Sequence, residues 1–183
     1  MYGLINKAIQ DMVCDRFGEE TWQTIKQKAE VQIDDFLRME SYPDDLTHKL
    51  VKATSEVVGL SSAEIMQAFG EYWIQYTGKA GYDLILDMGG NNLPEFLDNL
   101  DDLHTRLSVN FPQYRPPSFE CAEEEENTLE LHYHSSREGL APMVVGLVKG
   151  LGTRFNTEVN VTQTQNREEG AEHDVFLIEY KPN

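Results

Sequence analysis

Basic residues are scarce in this chain: 15 lysines and arginines face 32 aspartates and glutamates over 183 residues, a net charge of −17. So acidic a surface repels phosphate backbones and anionic lipid heads, so nucleic acid and membranes are not expected as partners. A basic patch on another protein fits better. Cysteine is nearly missing as well. Cys14 and Cys121 form no CxxC pair and no zinc-type spacing, so neither a disulfide framework nor a cysteine metal site is expected, and both thiols read as free. No apolar run approaches the roughly 20 residues that span a bilayer. The start, Met1-Tyr2-Gly3-Leu4-Ile5-Asn6-Lys7, lacks the pattern of a signal peptide, and a cytoplasmic protein is expected. Repeats are absent, and the one biased stretch, Glu123 to Glu126, reads as a solvated loop. What is present is 40% hydrophobic content, enough for one sizeable core, and the expectation is a single domain over 1–183.

The first part of the chain has helical periodicity. Apolar residues at Ile5, Ala8, Ile9, Met12 and Val13 predict a helix stopped by Gly18, and a second is expected from Thr21 to Ala29. Asp44 and Asp45 are candidate caps for a third helix, ending near Gly59. Ser61-Ser62-Ala63-Glu64 has the form of a capping box and opens a run through Ile65, Met66, Phe69, Trp73 and Tyr76. A Gly-Asn cluster at Gly89 to Asn92 precedes Leu93-Pro94, the start of a further helix expected to reach about Leu107. Phe111-Pro112 and Pro116-Pro117 then forbid helix, and the period changes to two. Strands are expected at Glu120 to Ala122, Thr128 to Ser135, Glu158 to Thr164 and Val175 to Tyr180, with a helix from about Ala141 to Phe155 and a polar turn from Asn166 to Glu172. The expected class is α+β: a helical N-terminal subdomain over about 1–60, followed over about 61–183 by an antiparallel sheet with packed helices.

Two patterns carry chemistry. Leu93, Phe96, Leu97, Leu100, Leu103, His104 and Leu107 recur at intervals of three and four, which puts His104 on the buried stripe of its helix. Such a histidine is either a core residue satisfied by a backbone carbonyl or an imidazole ligand, and an apolar face beside imidazole suits a porphyrin. In the second strand Leu129, Leu131, Tyr133, Ser135 and Arg137 share one parity, while Glu130, His132 and His134 share the other. Two hydroxyls and a guanidinium facing one way match a carboxylate or phosphate; the alternative is a strand end making ordinary surface contacts. A buried histidine with an anion clamp suggests a ligand that has both a metal and carboxylates, and haem has both. His48, His132, His134 and His173 show no shared ligand spacing and read as surface or structural residues.

Several stretches together resemble the H-NOX family of haem-nitric oxide/oxygen binding domains along nearly the whole chain. They are Met1-Tyr2-Gly3, Phe69-Gly70, Gly81-Tyr82-Asp83, Glu95-Phe96-Leu97 through Leu103-His104, Arg115-Pro116-Pro117-Ser118-Phe119, His132 through Leu140, and Val161-Thr162-Gln163-Thr164. The resemblance is to cyanobacterial members and to the haem domain of the soluble guanylate cyclase β subunit. It implies haem b (iron protoporphyrin IX) held between the helical subdomain and the sheet. His104 would be the metal ligand, and Tyr133, Ser135 and Arg137 would hold the haem carboxylates. Pro117 would press on the porphyrin, with Leu4 and Ile5 packing from the first helix. Trp73 and Met143 would form the distal wall, with Val144 or Leu147 nearby. Oxygen-binding members have a tyrosine where Met143 is placed, and this chain departs from that pattern.

The resemblance thus implies a sensor, not an enzyme, that binds nitric oxide and carbon monoxide at ferrous haem with little stable oxygen binding. In the family, nitric oxide opposite the histidine can weaken the iron–histidine bond and free the helix carrying it. A separate signalling protein such as a histidine kinase or cyclase would read the change. The alternatives are an oxygen-binding haem protein, a peroxidase-type haem enzyme and a cofactor-free interaction module. The peroxidase reading wants distal acid–base residues, which Trp73 and Met143 cannot supply.

Overall fold

The computed structural model describes residues 1–110 and 114–182, and the chain divides into two units, Met1–Phe69 and Gly70–Asn183. In the first unit, α1 (Gly3–Phe17) buries Ala8, Ile9, Met12 and Val13 at helical spacing and ends at Gly18. Helix α2 (Glu19–Lys28) carries Glu19 and Glu20 in its first turn and Lys26 and Lys28 in its last, the charge order that suits the helix dipole. Helix α3 (Asp44–Val58) starts differently from expectation. Asp44 and Asp45 lie inside its first turn, Pro43 holds the capping position without a side-chain bond, and the Asp44 carboxylate pairs with the Met1 ammonium. The two aspartates therefore act on the helix through charge and not as caps. Trp22, Ile25, Phe36, Leu50 and Ala53 form the core of this unit with Val13.

Helix α4 (Ser62–Thr77) leads into the second unit and begins with the expected capping box. The Glu64 N–H donates to Ser61 Oγ at 3.2 Å, and the Ser61 N–H donates to Glu64 Oε2 at 2.8 Å. Beyond it lies a wide helical turn, Gly78–Tyr82, followed by α5 (Asp83–Asp87); periodicity had suggested neither. The helix expected from Leu93 to Leu107 is two helices, α6 (Leu93–Asp98) and α7 (Leu100–Asn110). The break falls at Asn99, whose N–H closes α6 on Glu95 and whose side-chain amide donates to the Gly89 carbonyl at 3.1 Å. That side-chain bond anchors the break to the preceding loop. Asn92 caps α6 by accepting from the Glu95 N–H, with proline in the first turn. The expected stop at Phe111-Pro112 lies outside the described residues.

Strands β1 (Ser118–Glu125), β2 (Thr128–His134), β3 (Thr157–Gln165) and β4 (Asp174–Pro182) form one antiparallel sheet in the order β1-β2-β4-β3, and α8 (Ala141–Arg154) connects β2 to β3. β1 continues through Glu125, so most of the acidic run is strand and not the expected loop. The polar turn between β3 and β4 contains a short helical turn, Arg167–Glu169. Residues paired across the ladder share a face. Phe119, Tyr133 and Asp174 make one row; Cys121, Leu131, Phe176 and Gln163 make the next; Leu129, Ile178 and Val161 make a third. That face packs with Val144, Val148 and Leu151 of α8 and with Leu93, Phe96, Leu97 and Leu103 in one core. Helices α4 and α8 approach nearly backbone to backbone. A methyl group on Gly70 would meet the Met143 carbonyl and the Leu147 amide, and one on Gly150 would meet Ile74.

Candidate functional site

His104 lies on α7 with most of its ring buried, and its Nδ1 is shielded from solvent without a hydrogen-bond partner among the described residues. Burial lowers its pKa from the ordinary histidine value, against an opposing pull from Asp101 and the backbone of Pro117. A neutral imidazole is the form that binds a metal, since protonation takes the lone pair. The ring stands 5.7 Å from Phe119 and 6.1 Å from Tyr114, centroid to centroid, and Phe119 stands 5.2 Å from Tyr133. Asp101 fixes this relay from α7 by accepting the Phe119 N–H at 3.0 Å. The helix with the histidine and the strand with the clamp are thus joined through one aromatic side chain.

Alternation along β2 is as expected up to Tyr133, which is 4% exposed, with its neighbours His132 and His134 on the other face. The strand ends at His134, so Ser135 and Arg137 belong to the irregular turn after it and not to the strand expected through Ser135. That turn still gathers them near Tyr133. Ser135 shares a hydrogen bond with the Tyr133 hydroxyl, and its Oγ accepts the Arg137 N–H at 3.0 Å. Burial raises the Tyr133 pKa, while Ser135 and the charges of Arg137 and Arg167 oppose the rise. Tyr114, pushed up to about 12 by burial, also feels Arg137. The Arg137 guanidinium donates to the Arg115 carbonyl at 2.7 Å. A buried and a half-buried hydroxyl near the guanidinium groups of Arg137 and Arg167 make a donor-rich corner in an acidic protein, suited to a carboxylate.

The remaining expected residues are more dispersed. Pro117 lies in the segment just before β1, half-buried. Trp73 on α4 and Leu147 on α8 are partly buried against the core, and half-buried Met143 lies in the first turn of α8. These two helices are the pair that touch at Gly70. Val144 is fully inside the core. Leu4 and Ile5 are half-buried in the first turn of α1, within the N-terminal unit.

Sequence reasoning missed three features. Phe119 gave no signal as a relay, because only the β1–β2 register places it beside Tyr133. Arg167 and Glu168 were read simply as turn residues. On the face of β2 away from Tyr133, His132, His134 and His173 form a cluster. His132 Nδ1 is 2.8 Å from His173 Nε2, His132 Nε2 is 3.0 Å from Glu130, and His134 stacks on His173 at 4.1 Å. Among the described residues no group of three or more His, Cys, Asp or Glu is arranged to hold a metal ion, so this cluster is a hydrogen-bonded one. Neither Cys14 nor Cys121 is in a disulfide bond. Burial pushes the Cys14 thiol up to about 12, and it hydrogen-bonds Glu19.

Comparison with known proteins settles the family, for residues 2–163 match the haem-NO-binding domain. The chain belongs to this H-NOX family. It is 35% identical over 178 residues to the soluble guanylate cyclase gcy-31 of Caenorhabditis elegans, covering 97% of this chain and 25% of that protein. It is 36% identical over 123 residues to the guanylate cyclase soluble subunit beta-2 of Rattus norvegicus, covering 64% of this chain and 18% of that protein. The H-NOX chain therefore spans about a quarter or less of the length of these curated relatives. In fold it is similar to an H-NOX protein from S. oneidensis solved in the Fe(II)NO state, with a TM-score of 0.88, 19% identity and 99% of both chains covered. It is likewise similar to the Fe(II) unliganded H-NOX protein from K. algicida, with a TM-score of 0.85, 21% identity, and 100% of this chain and 98% of that one covered. The residues found here suit the group the family binds. A buried imidazole with an unpartnered nitrogen and a neutral preference fits an iron ligand, and the Tyr133 corner fits carboxylates.

Proposed function

We propose that this H-NOX domain is a gas sensor that takes haem b, responds to nitric oxide and carbon monoxide at ferrous iron, and passes the signal to a separate protein. The observation that carries the proposal is His104, an imidazole among leucines on α7 with its Nδ1 buried and unpartnered, in a chain of the haem-NO-binding family. When bound, haem supplies an iron with one side open to a diatomic ligand. His104 ties α7 to that iron, so any change in the tie alters the restraint on α7. Tyr133, Ser135 and Arg137 orient the carboxylates. Pro117 would contact the porphyrin, and Leu4 and Ile5 are assigned to it by family likeness alone.

Trp73, Met143 and Leu147 are assigned to the distal wall. Met143 and Leu147 carry no hydrogen-bond donor, and none of the three supplies the acid–base pair a peroxidase needs, so the domain senses and does not catalyse. The likeness to soluble guanylate cyclases supports a cyclase as the signalling partner, and a histidine kinase is the other class proposed. The net charge of −17 favours a basic surface on that partner over nucleic acid or lipid. The proposed site of action is the cytoplasm; no described helix is long and apolar enough to cross a membrane.

The test is a visible spectrum of the haem-loaded ferrous protein with each gas in turn. Shifts with nitric oxide and carbon monoxide, and no lasting new spectrum in air, are expected. Met143→Tyr places a hydroxyl donor on the assigned wall and is expected to slow oxygen loss. A persistent oxygen-dependent spectrum in the unaltered protein would overturn the selectivity, and no stoichiometric haem uptake would overturn the sensor reading.

A further inference from the structure

The turn from Ser135 to Gly139 has no ladder or helix to hold it, yet it carries Ser135 and Arg137. Its two ends are held by the β3–β4 turn, which lies at the same end of the sheet. The Arg167 guanidinium donates to the Ser135 carbonyl, and Glu168 Oε1 accepts the Gly139 N–H at 3.0 Å. Gly139 has φ +71°, a left-handed conformation open to glycine, and the Glu168 bond captures its amide in that geometry. The gripping residues are themselves fixed. Asn166 Oδ1 accepts the Glu168 N–H at 2.9 Å, and Asp174 Oδ1 accepts the Arg167 N–H at 3.0 Å and the Gln163 amide at 2.9 Å. Asp174 is buried in the same cross-strand row as Tyr133.

We propose that the β3–β4 turn is a buckle for the anion clamp, in which Arg167 and Glu168 are positioning residues that hold the Ser135–Gly139 turn so that Ser135 and Arg137 meet a carboxylate together. This rests on the reading of Tyr133, Ser135 and Arg137 as the carboxylate clamp. An arginine in a free turn loses rotamer and backbone freedom when it engages a ligand. A turn gripped at both ends has lost much of that freedom beforehand, which strengthens binding without adding a contact. Arg167 acts through the Ser135 carbonyl, so its contribution runs through the same turn as that of Arg137.

Two measurements test this on the full chain. The first is backbone amide exchange in the haem-free protein, where Arg167→Ala and Glu168→Ala are expected to speed exchange at Arg137 and Gly139 while leaving Leu131 protected. The second is the rate of haem loss to an excess of a scavenging apoprotein, measured with haem and with its dimethyl ester, which has no free carboxylate. Arg167→Ala is expected to speed loss of haem roughly tenfold, the scale of one charge-assisted hydrogen bond. Arg167→Lys should restore part of that, the ester should show no difference, and Arg167→Ala should add little in an Arg137→Ala background.

Unchanged exchange, equal acceleration with the ester, or additive effects of the two arginine variants would each overturn the buckle. If Arg137→Ala itself leaves haem loss unchanged, the clamp reading falls first. If Arg137→Ala speeds it and Arg167→Ala does not, only the buckle falls.

Discussion

Strand β2 presents chemically capable side chains on both faces, and the two faces use them in opposite ways. On the helix-packed face Tyr133 meets Phe119, which meets His104, and the His104 Nδ1 is without a partner among the described residues. On the other face His132 engages both its ring nitrogens, one with His173 and one with Glu130. Counting histidines along the strand would rank the second face as the richer site. Unmet hydrogen-bonding capacity occurs on both, since His104 Nδ1 and His173 Nδ1 are each buried without a partner among the described residues; what differs is the company, aromatic rings around His104 and a histidine–glutamate network around His173. A buried polar atom without a partner costs stability, and one set among apolar rings beside an anion clamp is suited to a ligand that carries a metal. The difference separates a face built for a ligand from a face built for the fold.

The largest effect that could break this comparison comes from removing the imidazole on the helix-packed side. His104→Gly is expected to abolish stable haem retention, or to leave haem bound only when free imidazole is added to fill the space. Haem content and the ferrous spectrum, read with and without imidazole, check it. An unchanged spectrum without imidazole would move the ligand to another residue, with His132 and His134 the first to test.

A smaller effect separates the faces directly. Arg137→Ala is expected to weaken haem retention by about one to two decades, since a charge-assisted bond to a carboxylate contributes roughly 1.5 to 3 kcal/mol. His134→Ala, on the other face and stacked on His173, should leave retention near that of the unaltered protein. Equal rates of haem loss for the two variants would remove the distinction between faces.

Next comes the helical layer over the ligand-side face. Gly70→Ala is expected to lower stability by about 1 to 3 kcal/mol, the usual cost of overpacking, because its methyl group would meet backbone atoms of Met143 and Leu147 that cannot rotate away. Chemical denaturation of the haem-free protein measures it. A neutral result would mean that α4 and α8 can separate at little cost, and that the wall assigned to Trp73 and Met143 is soft.

Much of this arrangement was legible in the sequence, wherever the cause is local. The capping box at Ser61 and Glu64, the buried stripe of α1 and the alternation of Leu129, Leu131 and Tyr133 each follow from spacing along a few residues. What spacing cannot show are contacts closed by the tertiary fold. The helix break at Asn99 depends on a bond to Gly89, and a continuous apolar period ran straight through it. Asp44 looked like a cap because its side chain is a good one, but the Met1 ammonium engages it instead. His173 lies 41 residues along the chain from His132, and Arg167 lies 32 from Ser135, so neither partnership leaves a local pattern. Parity places Tyr133 on the core face, but it cannot show that Ser135 and Arg137 gather beside it beyond the strand end, or what holds them there.

The smallest expected effect tests whether the outer histidine face serves the fold alone. His132 Nε2 faces the Glu130 carboxylate, which can only accept when ionised, so the network assigns the His132 proton to Nε2 and leaves Nδ1 as an acceptor. His173 Nε2 then donates to it, and a neutral His173 keeps its buried Nδ1 as a bare lone pair. A neutral bond of this kind contributes about 0.5 to 1.5 kcal/mol. His132→Ala and His173→Ala should each lower stability by about that much, and the double variant by less than their sum, because either single change already removes the shared bond. Haem retention should stay level through all three, in contrast to the steep loss in Arg137→Ala. If the two histidine changes prove additive, the bond between them is not what holds the cluster. Haem loss that tracks the stability loss would mean that the two faces of β2 are coupled, and that the outer cluster belongs to the ligand site after all.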